Sequence, residues 1–164
     1  MKTLLLVRHA KSNWDLATQS DFDRSLSERG KKDAPIMAQR LLDRKINIDA
    51  MVSSPAKRAK KTAELFCSVY KKDKDQIIFI PTLYHASLNT FFEVVTQLDD
   101  SYNCIAIFSH NPGITEFANQ LVENITIDNM PTCGIFALQA DTAKWKEFST
   151  STKELLFFDY PKAV

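Results

Sequence analysis

Histidine is scarce in this chain, three in 164 residues, and two of the three close apolar runs: Leu5-Leu6-Val7-Arg8-His9 and Ile107-Phe108-Ser109-His110. A histidine at a buried strand end can keep one ring nitrogen unprotonated while a backbone or carboxylate acceptor holds the other, which is what attack on phosphorus requires. His9 is therefore a candidate nucleophile. A phosphoryl group spreads its negative charge over its oxygens, and its transfer is catalysed chiefly by positioning and by donors already in place. Arg8 and Arg58 suit that task, because guanidinium groups stay charged and match phosphate bidentately. A protonated His110 would add a further donor. Each residue also has a plainer reading. Arg58 stands among Lys57, Lys60 and Lys61, the pattern of a solvated basic face. His110 alone could be a hydrogen-bonded histidine at a strand end. Tyr84-His85-Ala86 reads as an ordinary loop, and Lys11 and Lys57 as exposed charges that raise the local potential.

Groups of this kind need a scaffold of strand ends, and the rest of the chain supplies one. Leu4 to Val7 is apolar without alternation, as in a strand buried on both faces of a sheet. Met37, Ala38, Leu41 and Leu42 follow helical spacing, with Ser25 or Ser27 as the cap and Pro35 expected to kink the helix or delay its start. Ile48 to Val52 reads as a strand. The Ser53-Ser54-Pro55 that follows offers a capping serine and a proline at the first helical position, and a helix should bury Ala59, Thr62, Ala63, Phe66 and Val69. Gln76 to Ile80 is a strand candidate, and Leu88, Phe91, Phe92, Val95 and Leu98 mark an amphipathic helix. Cys104 to Phe108 is a buried strand, followed by a helix with Ile114, Phe117, Ala118, Leu121 and Val122 inside. Gly134 to Gln139 and Lys144 to Phe148 read as a closing pair of strands, with Leu155 to Phe158 packing on the body or adding an edge. This alternation predicts an α/β three-layer sandwich, with a central, mostly parallel mixed sheet and helices on both faces. Such sheets bind ligands at the carboxyl ends of their strands, where Arg8, His9, His110 and the start of the Arg58 helix fall.

The totals narrow the function. With 45% hydrophobic residues, 164 residues suit one domain spanning 1–164. Lys and Arg number 21 against 20 Asp and Glu, a net charge of +1, which favours neither nucleic acid nor an anionic membrane as a partner. Anion recognition must be local. Cys67, Cys104 and Cys133 are widely spaced and read as reduced core residues; there is no HExxH pattern, so no metal and no organic cofactor is expected. The Leu4 to Val7 run is too short for a signal-peptide core or a membrane span, and a cytoplasmic location is expected.

Together, LLLVRHAKSNW, DFDRSLSERG, SSPAKRAKKTAE and IFSHNPG resemble, in order, the blocks of the histidine phosphatase superfamily, also called the phosphoglycerate-mutase-like fold. The resemblance runs through nearly the whole chain and is loose in the closing third. It implies that His9 is the nucleophile, that Arg8 and Arg58 bind phosphate, and that His110 is the later strand-end histidine of the pocket. HAKS replaces the glycine and glutamate of the mutases, and there is no room for their large insertions. The chain is therefore most similar to the short SixA-type phosphohistidine phosphatases. Larger members carry a glutamate acid in the inserted region, which has no counterpart here. Asp21 is the expected replacement, with Asp15, His85 and Glu93 behind it, and Arg24 would contact phosphate or orient Asp21. A phosphoramidate with a protonated imidazole needs little help from an acid, so the missing glutamate fits a phosphohistidine substrate. The implied partner is a phosphorylated protein, for instance a histidine phosphotransfer domain. A phosphatase of small phosphorylated substrates and a non-catalytic phosphoprotein-binding module are the alternatives.

Overall fold

The computed structural model describes residues 1–14 and 20–163. In chain order its strands and helices are β1 (Lys2–Arg8), α1 (Glu28–Asp43), β2 (Ala50–Ser53), α2 (Lys57–Tyr70), β3 (Ile78–Phe79), α3 (Leu88–Thr96), β4 (Cys104–Ser109), α4 (Gly113–Leu121), β5 (Ile135–Ala140) and β6 (Lys153–Asp159). The strands form one mixed sheet in the order β3-β2-β4-β1-β5-β6. β1, β2, β3 and β4 are mutually parallel, whereas β5 runs antiparallel to both β1 and β6. The expected α/β architecture is thus observed.

Because successive strand residues point to opposite faces, the unbroken Leu4 to Val7 run feeds two cores at once. Leu4 and Leu6 pack with Phe91, Phe117, Trp145 and Phe148 on the α3 and α4 side. Leu5 and Val7 pack with Met37, Leu41, Ala63 and Phe66 under α1 and α2. Each such side chain, once buried, contributes about 1.5–3 kcal/mol. Among the described residues, no helix is long and apolar enough to cross a membrane.

Several local expectations are corrected. α1 begins at Glu28, capped by the Ser27 hydroxyl, which accepts from the Gly30 N–H at 3.1 Å, and it continues through Pro35. The buried stripe Ala34, Met37, Ala38 and Leu41 outweighs the one hydrogen bond that a proline removes. α2 starts two residues beyond Pro55, with Ala56 as a cap that has no side-chain bond, so Ser54 does not cap it. Lys144 to Phe148 is not a strand: residues Trp145–Thr150 form a 3-10 turn that buries Trp145 and Phe148 together. Residues three apart face the same way in that geometry, and the Trp145 indole N–H donates to the Tyr102 carbonyl at 2.9 Å. The tail becomes the edge strand β6.

Candidate active site

Parallel pairing of β1 with β4 sets Arg8 opposite Ser109, so the residues that follow, His9 and His110, leave the sheet side by side. Their ring centroids lie 5.2 Å apart. β2 ends beside them: Ser53 pairs with Phe108, and the Ser54 N–H donates to the Phe108 carbonyl at 2.9 Å. α2 then carries Arg58 back over the strand ends. Arg58 is buried on the inner face of α2, while Lys57, Lys60 and Lys61 are exposed. The plain reading of Arg58 as part of a solvated face therefore fails.

His9 is held in one tautomer. Its Nδ1 lies 2.8 Å from the Ala10 carbonyl, which can only accept, so Nδ1 carries the proton. Its Nε2 lies 3.3 Å from Arg58 Nε, which can only donate, so Nε2 presents its lone pair. Thr62 braces the pair, accepting from the Ala10 N–H at 3.0 Å and donating to the Arg58 carbonyl at 2.8 Å. Burial holds the His9 imidazole well below the ordinary histidine range; the Ala10 hydrogen bond opposes this, and nearby His110, Arg58 and Arg8 reinforce it. The ring is neutral at physiological pH.

His110 Nε2 lies 2.8 Å from the Ser54 hydroxyl, which also accepts from the Ala56 N–H at 3.2 Å. This is where the serine expected to cap α2 is used. Burial, then the positive charge of Arg58, pushes His110 down to about 3, so in the free protein it is neutral rather than a cationic donor. Arg8 Nη1 donates to the Met130 carbonyl at 2.8 Å. Among the described residues, Arg8 Nε and His110 Nδ1 are buried without a hydrogen-bond partner, the kind of orphan that a ligand oxygen satisfies. Burial and the neighbouring Arg58 and Arg24 lower Arg8 from its usual value. An arriving anion relieves that mutual repulsion.

Asp21 sits in the 3-10 turn Asp21–Asp23 between two arginines. Its Oδ1 accepts from Arg24 Nη1 at 2.8 Å; its Oδ2 accepts from Arg58 Nη2 at 3.1 Å and from the Tyr84 hydroxyl at 2.6 Å. Burial alone would raise its carboxyl, but the bonds from Tyr84 and Arg24 and the charge of Arg58 hold it well below the usual carboxylate range. It is an anion at neutral pH. Arg24 is bound in turn to the Ser12 hydroxyl and, at 3.0 Å, to the Asn13 carbonyl, with its guanidinium 3.4 Å from the centre of the Trp14 ring. It orients Asp21.

These residues enclose a cavity of about 250 Å³ lined by Arg8, His9, Lys11, Arg24, Arg58 and His110, with Asp21, His85 and Trp14 at its wall. Among the described residues, four basic side chains there face the one carboxylate of Asp21, a balance that suits an anion. The candidates Arg8, His9, Asp21, Arg24, Arg58, His85 and His110 are thus brought together. Glu93 is not: it is exposed on α3 and lines a separate hollow with Ile78 and Gln97. Asp15 lies outside the described residues. Ser54, Thr62 and Tyr84 were not predicted, and each acts through a partner remote in sequence.

Comparison with known proteins gives the family and the fold. Residues 4–83 match the model of the histidine phosphatase superfamily (branch 1). An uncharacterised chloroplastic protein of Arabidopsis thaliana is 30% identical over 154 residues, covering 89% of this chain and 70% of its own. The solved structure of the candidate phosphohistidine phosphatase SixA from Agrobacterium tumefaciens superposes with a TM-score of 0.83 at 25% identity, over 98% of both chains. The protein histidine phosphatase SixA in complex with tungstate superposes at 0.82, with 20% identity over 97% of both. The chain belongs to the histidine phosphatase superfamily.

Proposed function

We propose that this protein is a phosphatase that transfers the phosphoryl group of a protein phosphohistidine to His9 and then to water. The observation that carries the reading is the His9 tautomer: the Ala10 carbonyl holds Nδ1–H, and the Nε2 lone pair faces Arg58 at the anion cavity. In the first step His9 Nε2 forms a bond to phosphorus as the bond from phosphorus to the substrate imidazole breaks, and that imidazole, already protonated on its other ring nitrogen, leaves as a neutral ring. Water then cleaves the bond between His9 and phosphorus and releases inorganic phosphate. Arg8 and Arg58 bind the phosphoryl oxygens, and the unpartnered His110 Nδ1 supplies a further donor when the Ser54 hydroxyl donates to Nε2. The structurally similar SixA forms a complex with tungstate, an oxyanion, which supports anion binding by a protein of this fold.

Asp21 as a proton donor finds no support in this geometry, because its carboxylate is held ionised by Arg24, Arg58 and Tyr84. A site whose described residues offer no ready acid suits a leaving group that departs easily, which favours phosphohistidine over alkyl esters. The test is brief exposure of the wild type and His9→Ala to an aryl phosphate, followed by a search for an acid-labile, alkali-stable phosphoenzyme. Label is expected in the wild type alone. A wild type that binds phosphate without labelling or turnover refutes the enzyme and leaves a phosphoprotein-binding module. Turnover of a phosphohistidine peptide should exceed that of sugar phosphates; the reverse order assigns the site to small esters.

A further inference from the structure

Each of the three nitrogens of the Arg58 guanidinium donates within the protein itself. Nε donates to His9 Nε2 at 3.3 Å, Nη1 to the Asp21 carbonyl at 2.6 Å, and Nη2 to Asp21 Oδ2 at 3.1 Å. An arginine offers an oxyanion two bidentate edges, Nε with Nη2 and Nη1 with Nη2. Asp21 meets Nη1 and Nη2 with its carbonyl and carboxylate, and His9 takes the Nε donor of the other edge, so neither edge is wholly free for an oxyanion. The Arg58 Nε–H also rests on the very lone pair that must attack. Phosphorus needs to come within about 3–3.5 Å of that nitrogen, which is the space Arg58 Nε now takes.

We infer that Asp21 is an internal surrogate for the phosphoryl group: a latch that seats Arg58 over His9 and that the substrate must displace. This rests on the reading that Arg58 binds phosphate, and it gives Asp21 a positioning role in place of an acid's. The latch is built to let go. The Asp21 side chain is 41% exposed, and its Oδ1 remains anchored to Arg24 when Oδ2 releases Arg58. Tyr84, which donates to Oδ2, gives the released oxygen a partner and spares it full desolvation. A dianionic phosphoryl group carries more charge than a carboxylate and accepts on both arginines, so it wins the exchange. A weaker anion leaves the latch shut and the nucleophile masked.

The test is calorimetric titration of the full chain with inorganic phosphate, comparing wild type, Asp21→Asn, Asp21→Ala and Asp23→Asn. Partly exposed ion pairs are worth about 0–1 kcal/mol, so losing the competitor should tighten phosphate binding about three- to fivefold in both Asp21 variants. Asp23→Asn, in the same turn, should change it less than twofold. The KM for an aryl phosphate should fall alongside, which a merely structural residue would not produce. Phosphate affinity unchanged or weakened in the folded Asp21 variants overturns the latch. Should neither variant fold, carbon-13 NMR of the wild type decides: saturation with phosphate should move the Asp21 carboxyl resonance, and a still resonance overturns the proposal. Arg58→Ala separates the two levels of argument. If it abolishes phosphate binding while the Asp21 variants bind as wild type does, the latch alone fails; if it leaves binding intact, the reading of the site fails too.

Discussion

Lowering the pH should cost this fold stability well before its carboxylates titrate, and the cause is the site itself. His110 is buried, 6% exposed, and pushed from the ordinary 6.5 down to about 3. A group whose folded value lies below its unfolded one binds protons preferentially in the unfolded chain, so stability is full above about pH 6.5 and declines as the pH falls toward 3. Integrated over that gap, the loss reaches about 5 kcal/mol near pH 3, and at about pH 5 it is already about 2 kcal/mol. His9 is depressed in the same direction and adds a loss of the same sign. Asp21 is depressed as well, but a lowered carboxylate keeps its contribution until the pH drops below about 4, so it is silent in this window. The assay is urea unfolding at about pH 7.5 and about pH 5 in phosphate-free buffer, with His110→Gln beside the wild type. The wild type should lose at least about 2 kcal/mol more than the variant across this interval. In thermal melts that is about 4–8 °C for a chain of this size. Parallel pH dependences would show that His110 is not desolvated as its burial implies. Added phosphate should flatten the wild-type curve, since an anion at the site favours the protonated ring.

Two further substitutions probe how the site is braced. A Cβ at Gly30 would stand 2.1 Å from the Lys11 carbonyl oxygen, a backbone atom that cannot swing away. Gly30→Ala should therefore displace the segment that follows His9, costing about 1–3 kcal/mol in urea unfolding, with aryl phosphate turnover falling as well. Ser54→Ala removes the partner of His110 Nε2 and the acceptor of the Ala56 N–H; it should cost about 1–3 kcal/mol and lower kcat/KM about tenfold, the factor that about 1.4 kcal/mol represents. A variant with unchanged kcat/KM would remove His110 orientation from the mechanism.

The buried strands were legible because both of their faces are covered: β1 and β4 are apolar at consecutive positions, and that pattern does not depend on knowing the partner. The helix faces followed from spacing. Arg58 was legible as a phosphate ligand in spite of its lysine neighbours, and its place on the same face as Thr62 and Phe66, four and eight residues on, phases it into the buried stripe. Ser54 could not be read correctly. A serine before a proline is the signature of a helix cap, and its hydroxyl turns to His110 only because β4, 56 residues away, ends beside β2. Tyr84 carries no local mark, since its hydroxyl is spent on Asp21, 63 residues earlier. Lys144 to Phe148 reads as a strand from its apolar content, whereas the spacing of three between Trp145 and Phe148 fits the 3-10 turn that buries both.

What places His9 is strand register more than loop shape. β1 lies between β4 and β5, with Arg8 opposite Ser109 on one side and Val7 opposite Ile135 on the other. The His9 N–H donates to the Ser109 carbonyl at 3.1 Å, and the His9 carbonyl accepts from the Cys133 N–H at 3.0 Å. The backbone of His9 is thus tied on both flanks, and its ring is tied by the next peptide along. A slip of one residue in β1 would turn Leu4, Leu5, Leu6 and Val7 to the opposite cores, so the apolar packing that stabilises the sheet also specifies where His9 emerges. Preorganisation at this site is therefore a by-product of core packing. The moving part is confined to Arg58 and the Asp21 turn, the side of the pocket that β1 does not hold.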